Sequence, residues 1–221
     1  MRLVIQTTGL AEQLAKDLNA ALSKYQSVIW LVPGGSNVPV SAAASRLLDQ
    51  SLTDKLTIMQ TDERFVPLSS PDCNWLQLHE AGFVVGQATA YPMLTSDTQD
   101  LQATAAAYAE IVRREFDRAD CIFGQFGFGA DGHIAGIKPN SAAATSEELV
   151  AGYQAEDFTR LTLTFKALRR VTIAKAFAYG EAKRPVIEKL SNATDTPLVD
   201  FPVGVLCDIP DSTIYNDLLE V

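Results

Sequence analysis

Phe123-Gly124-Gln125-Phe126-Gly127-Phe128-Gly129-Ala130-Asp131-Gly132-His133-Ile134 decides how the rest of this 221-residue chain is read. The apolar run Ala119 to Phe128 predicts a buried strand. It gives way to glycines, an aspartate and a histidine. A strand that runs into a glycine-rich turn brings backbone N–H groups and one side chain close to a ligand. Open α/β sheets bind ligands at the carboxyl ends of their strands, which is where His133 falls. Gly127 to Gly132 also fits G-x-G-x-x-G, the dinucleotide fingerprint. That fingerprint needs a helix opening at its third glycine. Pro139 stops any helix early, so no nucleotide cofactor is expected. The plain alternative is a strand-to-loop turn with an incidental histidine.

On either side the pattern alternates. Leu3 to Gln6 predicts a strand, and Gly9 to Tyr25 a helix with Leu10, Leu14, Leu18 and Leu22 on one face. Ser27 to Val32 is a continuous apolar run, as a central parallel strand requires. Pro33-Gly34-Gly35-Ser36-Asn37 breaks it, and Val38 to Gln50 predicts the next helix, with Pro39 in its first turn. Leu56 to Met59 predicts a strand running into Thr61 to Pro67, read as loop. Trp75 to Ala81 predicts a short helix, Ala88 to Met93 a strand, and Thr98 to Arg118 a long helix. Arg160 to Phe165 and Val171 to Tyr179 predict strands, and Gly180 to Leu190 a helix constrained by Pro185. Val203 to Leu206 reads as a strand or as a short helix entered at Pro202. Ser212 to Tyr215 closes the sheet. The alternation predicts one α/β domain, its mostly parallel sheet covered on both faces.

Composition narrows the function. Hydrophobic residues at 47% and charged residues at 20% suit a globular domain. A net charge of −9 argues against nucleic acid or an anionic membrane as partner. An anionic substrate therefore needs a local cationic pocket. Cys73, Cys121 and Cys207 form no C-x-x-C pair, so free thiols in a reducing cytoplasm are expected. Met1 to Leu10 lacks the pattern of a signal peptide, and no apolar run reaches the about 20 residues of a membrane span.

Several residues carry chemistry. Gly34-Gly35-Ser36-Asn37, between a strand and a helix start, reads as a phosphate turn or as a capped strand–helix turn. Asp62-Glu63-Arg64 follows a strand: Arg64 would clamp an oxyanion if it faces the cleft, and otherwise forms a solvated pair with Glu63. Arg160 and Lys183 each read singly as surface charges; together with Ser36 they would make a phosphate site, and Lys138 and Arg184 are further cations. His133 suits proton transfer near neutrality and reads better as general base than as metal ligand. His79 reads as structural or exposed. No G-x-S-x-G elbow supports a serine nucleophile.

Taken together, these pieces resemble the 6-phosphogluconolactonases, within the larger group that includes the glucosamine-6-phosphate deaminases. Gly34-Gly35-Ser36 is similar to the family's G-G-S/T turn. Asp62-Glu63-Arg64-Phe65-Val66-Pro67 is similar to D-E-R-x-V-P, with Asn74 downstream. Gly127 to His133 resembles G-x-G-x-D-G-H, Arg160 to Thr164 resembles R-x-T-L-T, and Gly180 to Lys183 resembles G-x-x-K. The resemblance implies a three-layer α/β/α fold with a mostly parallel Rossmann-like sheet, NagB/RpiA/CoA-transferase-like, and a short helix at Val203 to Cys207. It implies hydrolysis of a phosphorylated sugar lactone without metal or cofactor, by a monomer or weak homodimer. His133, Asp131 and Arg64 would be catalytic. Gly34, Gly35, Ser36, Asn37, Asp62, Arg160 and Lys183 would bind substrate and its phosphate. The chain departs from the lactonase pattern at Ile134 to Lys138, where His133-Ile134-Ala135 is closer to the deaminases. Lys138 nonetheless replaces a glutamate those enzymes use in ring opening. Asn37-Val38-Pro39 is one residue longer than usual. A deaminase or aldose–ketose isomerase, and a non-catalytic sugar-phosphate binder, are the competing expectations.

Overall fold

A computed structural model describes residues 1–96, 100–192 and 195–219. In chain order its regular elements are β1 (Arg2–Ile5), α1 (Leu10–Lys24), β2 (Val28–Val32), α2 (Val38–Ser45), β3 (Leu56–Gln60), β4 (Asp62–Arg64), α3 (Asn74–Glu80) and β5 (Thr89–Tyr91). They continue with α4 (Leu101–Arg118), β6 (Cys121–Phe126), β7 (Val150–Gln154), β8 (Thr159–Leu163), α5 (Phe165–Leu168), β9 (Ile173–Phe177), α6 (Arg184–Ser191) and β10 (Asp211–Asn216).

Seven strands pair in parallel in the order β1-β10-β9-β6-β2-β3-β5. From β2 the chain winds outward to β3 and β5. It then returns past β2 to β6 and winds the other way through β9 to β10. The winding reverses between β2 and β6, and a crevice opens beyond the carboxyl ends of the strands at such a point.

The central strand shows why the fold has three layers. All five residues of β2 are buried, because both faces of the sheet are covered. Val28, Trp30 and Val32 pack with Leu14, Leu18 and Leu22 of α1 and Leu78 of α3. Ile29 and Leu31 point to the other face, into a cluster with Tyr108, Val112 and Phe116 of α4 and Val186 and Ile187 of α6. Each such side chain contributes about 1.5–3 kcal/mol relative to exposure.

The sequence expectation of a parallel sheet holds, but a second sheet accompanies it. β4, β8 and β7 pair antiparallel, so Asp62 to Arg64 is a strand within the segment expected to be loop. The chain crosses from one sheet to the other at Thr61, whose N–H donates to Val32 O at 3.0 Å and whose carbonyl accepts from Leu163 N at 2.9 Å. β7 was not expected at all. Other boundaries shift for local reasons. α2 stops at Ser45 rather than Gln50, because the Asp49 carboxylate accepts from Ser51 N at 3.0 Å and starts a separate 3-10 turn over Gln50–Lys55. Asp100 caps α4 through Ala103 N at 2.9 Å. Thr98 and Gln99, where that helix was expected to start, lie outside the described residues. Of the two readings of Val203 to Leu206, the helical one is correct: Pro202–Cys207 is a 3-10 helix. Among the described residues, no helix is long and apolar enough to cross a membrane.

One buried carboxylate ties β4 to α3. Glu63 is fully buried, and its two oxygens accept from Arg64 N at 2.8 Å, Asn74 N at 2.7 Å, Trp75 N at 2.9 Å and Gln60 Nε2 at 2.8 Å. Two of these donors are first-turn N–H groups of α3, which have no partner inside the helix. Glu63 is thus neither a solvated ion pair nor a site residue. It fixes the two segments that carry Asp62, Arg64 and Asn74. Glu63→Ala strands these donors in the interior, and we expect it to lower unfolding stability by about 3 kcal/mol in urea melts. A loss under about 0.5 kcal/mol, the range of ordinary surface changes, contradicts this role.

Candidate active site

The crevice at the winding reversal is real. It is a cleft of about 240 Å³ walled by the turn after β2, the turn after β6, β4 and its neighbour β8. Gly34, Gly35, Ser36, Asn37, Asp62, Arg64, His133 and Arg160 line it, as do Thr61, Asn74, Lys138 and Asp157. Of the residues expected from sequence, Asp131 and Lys183 are not on its surface.

The first wall is the glycine turn. Gly35 sits at φ 64°, in the left-handed region, and a Cβ there would meet nothing within 4 Å. Its backbone is therefore open to the cleft in a conformation that favours glycine. Asn37 follows, 3% exposed, and a side chain on Gly127 would meet its Nδ2 at 2.2 Å. The two turns that follow β2 and β6 therefore pack against each other.

The second wall is the loop after β6, folded back through bridges between Phe128 and Ile134 and between Ile134 and Ile137. Gly129 N donates to His133 O at 3.0 Å, and Val203 N donates to Gly132 O at 2.9 Å. Tyr153 Oη donates to Gly136 O at 2.6 Å. Ala135 is held at φ 46°, a strained position for a residue with a side chain.

Within this loop Asp131 stands behind His133. One carboxylate oxygen lies 2.6 Å from His133 Nδ1 and accepts from His133 N at 3.1 Å. The other lies 3.4 Å from Lys138 Nζ. Burial opposes ionisation of Asp131, but the His133 N–H, the His133 ring and Lys138 together hold its pKa below the usual carboxylate range. An ionised acceptor at Nδ1 places the ring proton there. In the neutral tautomer that this favours, Nε2 carries the lone pair, and no described residue bonds it. Gly129 makes the contact possible. A Cβ at that position would come within 2.3 Å of His133 Nδ1 and 2.4 Å of Asp131 Oδ1.

The third wall is cationic. The register of β4 on β8 sets Arg64 directly opposite Arg160. Like charges facing across a strand pair repel. Here the ring of Phe158 lies 5.5 Å from the Arg64 guanidinium and 5.9 Å from that of Arg160. Arg160 is 7% exposed and pairs with Asp157 at 2.7 Å and with Asp62 at 3.9 Å. Burial pushes the Asp62 carboxyl up to about 6, against the Thr61 hydroxyl, Arg160 and Arg64, which favour its charge.

Lys183 lies outside the cleft surface. Its ammonium stands 5.6 Å from the centre of the Phe128 ring, and Phe128 lines the cleft. Burial lowers its pKa, with Asp217 opposing weakly. No carboxylate among the described residues pairs with it within 4 Å. Arg184 pairs with Glu181 at 2.8 Å and is absent from the cleft, as is His79 on α3. Asp157 and Phe158, in the turn before β8, escaped sequence reading because no motif marks them. Among the described residues, no three His, Cys, Asp or Glu side chains gather as a metal-binding group.

A sequence profile of the family described as glucosamine-6-phosphate isomerases/6-phosphogluconolactonase matches residues 6–213. The chain belongs to this family. The Synechocystis protein named 6-phosphogluconolactonase is 25% identical over 203 residues, covering 85% of this chain and 78% of the relative. The 6-phosphogluconolactonase structure from Shewanella baltica OS155 superposes with a TM-score of 0.79 at 20% identity, covering 97% of this chain and 95% of that one. A monomeric glucosamine-6-phosphate deaminase of the NagB superfamily superposes with a TM-score of 0.76 at 16% identity, covering 98% of this chain and 97% of that one. Superposition thus establishes the fold of the isomerase/lactonase family and does not separate its two activities.

Two measurements check this geometry. Gly129→Ala should break the Asp131–His133 contact without unfolding the protein, seen as loss of the Nδ1-bound proton resonance of His133. A retained resonance contradicts the crowding described. The raised pKa of Asp62 means that the folded chain holds a proton that the unfolded chain, at the ordinary 3.8, releases. Its contribution to stability is present below pH 3.8 and is lost as pH rises through about 6. In urea melts Asp62→Asn should match the parent at low pH and gain on it with rising pH, by up to about 3 kcal/mol. A difference independent of pH removes the burial argument.

Proposed function

We propose that this chain hydrolyses 6-phospho-D-glucono-1,5-lactone to 6-phosphogluconate in the pentose phosphate pathway, with His133 as general base. The observation that carries this reading is the Asp131–His133 pair at 2.6 Å, set across one cleft from Arg64 opposed to Arg160. The named relatives support it. Cytoplasmic location, a single domain and a monomeric or weakly dimeric state belong to the same proposal.

A δ-lactone is an activated ester, so no covalent nucleophile is needed. Water attacks C1 while His133 Nε2 takes one of its protons. Asp131 keeps the ring oriented and steadies the imidazolium that forms. Collapse of the tetrahedral intermediate breaks the bond from C1 to the ring oxygen. The imidazolium returns its proton to that oxygen, now a hydroxyl of the open acid. Arg64 and backbone N–H groups of the glycine turns meet the developing oxyanion. The phosphate is held by Ser36, the open backbone at Gly35, Arg160 and Lys183, the last swinging from its seat over Phe128. A half-buried ammonium with no paired carboxylate is suited to receive an anion. Grip at the phosphate end positions the reacting end.

A second reading, deamination or aldose–ketose isomerisation, draws on Asp62. A buried carboxyl pushed up to about 6 suits proton movement between adjacent carbons. Lys138, standing where deaminases carry glutamate, argues against ring opening by that route.

Turnover of the lactone above its spontaneous hydrolysis tests the proposal. We expect His133→Ala to lower that rate by about 10²–10⁴-fold. An unchanged rate removes His133 from the mechanism. Ammonia released from glucosamine 6-phosphate would favour the second reading. Thermal stabilisation by 6-phosphogluconate with no turnover would mark a binding protein.

A further inference from the structure

Asp157 has no part in the steps above, yet it holds the cation that the phosphate needs. It lies in the turn 155–158 that joins β7 to β8. Its oxygens lie 2.7 Å from Arg160 Nη2 and 3.3 Å from Arg160 Nε, a side-on fork. Lys138 Nζ is 3.7 Å away. The two partners are unequally buried: the Arg160 side chain is 9% exposed and that of Asp157 is 42% exposed. Burial disfavours the charge on Asp157, but the hydrogen bond and field of Arg160 bring its pKa down to about 2. The carboxylate is therefore charged at any working pH.

We propose that Asp157 is a resident counter-ion that sets which anions the cleft admits: a phosphate dianion displaces it from Arg160, and a monocarboxylate does not. The proposal rests on the phosphate reading of this site. The fork that Asp157 makes with Arg160 is the one a carboxylate ligand would make. Exchange of one carboxylate for another gains no contact, and the incoming ligand loses its translational freedom. A phosphate monoester near neutrality carries close to two charges and three acceptor oxygens. It engages Arg160 together with Lys138, which already stands 3.7 Å from Asp157, and so outcompetes the resident group. Asp157 can leave because its side chain is in an exposed turn. Arg160 itself is held by the pairing of β8 with β4 and β7, while in its own turn the Asp157 carboxylate accepts from Phe158 N at 2.9 Å. In a chain of net charge −9, such a filter decides between anions at the cleft itself and not by long-range attraction.

The test is calorimetric titration with inorganic phosphate and with acetate at about pH 8, where phosphate is mainly dianionic. Asp157→Asn keeps the shape and removes the charge. It should tighten phosphate binding by about tenfold and acetate binding by more, so that the preference between them narrows. In an Arg160→Gln background the same change should give no gain. Asp157→Ser carries the test equally if the Asn variant folds poorly. Phosphate binding that weakens or stays level in Asp157→Asn overturns the proposal, because Asp157 then serves to hold Arg160 for the ligand. A gain that survives Arg160→Gln overturns it as well. The readout uses no lactone. Tightening without lactone turnover leaves the counter-ion role standing and removes the lactonase reading; turnover without tightening does the reverse.

Discussion

The parallel pairing of β2 with β6 is the constraint on which the site depends. These strands lie far apart in sequence, and each ends in a glycine turn. Pairing Val28 with Cys121 and Leu31 with Gly124 brings the two turns to the same height. The contact of Asn37 with Gly127 then locks them together. Both strands are buried, so a slip by one residue would turn every side chain of β2 into the wrong layer. The large sheet therefore fixes the imidazole and the glycine turn after β2 through the same packing that stabilises the core.

The small antiparallel sheet adds what the large one lacks. Rossmann-like sheets offer backbone N–H groups at the strand ends but no fixed cations. Here β4 and β8 place two guanidiniums opposite each other, an arrangement a hydrophobic core would never select. Its repulsion is relieved by Phe158, Asp62 and Asp157. The chain keeps a strained electrostatic arrangement beside a strained backbone at Ala135. Both lie in a cleft whose cations are partly offset by its own carboxylates, Asp62 and Asp157. Such local conflict is tolerated where it serves a ligand.

Much of this was legible in the residues. The apolar runs of β2 and β6 are continuous and end in glycine, so the sheet and its binding edge could be read directly. The G-G-S, D-E-R and D-G-H pieces account for six of the lining residues, and Asn37 and Arg160 add two more that the sequence singles out. Legibility failed where pairing was non-local. β4 has three residues and β7 has no clear alternation, so the second sheet carries no periodic signal. Glu63 looked like half of a surface ion pair, because a sequence cannot show that its oxygens are saturated by buried N–H groups. Asp157 lacked a motif. Lys183 carried one, yet its ammonium rests over the Phe128 ring and off the cleft surface, and no spacing rule reports where a side chain rests.

The edge of the large sheet has a consequence for how the molecule is made. β1 pairs with β10, the last of the described strands. Arg2 sits beside Thr213, and no other strand offers β1 a partner in that sheet. During synthesis β1 therefore leaves the ribosome long before its partner, and its backbone groups stay in water until β10 has followed. The loop that this pairing closes is the longest in the sheet, so its closure carries the largest entropic cost.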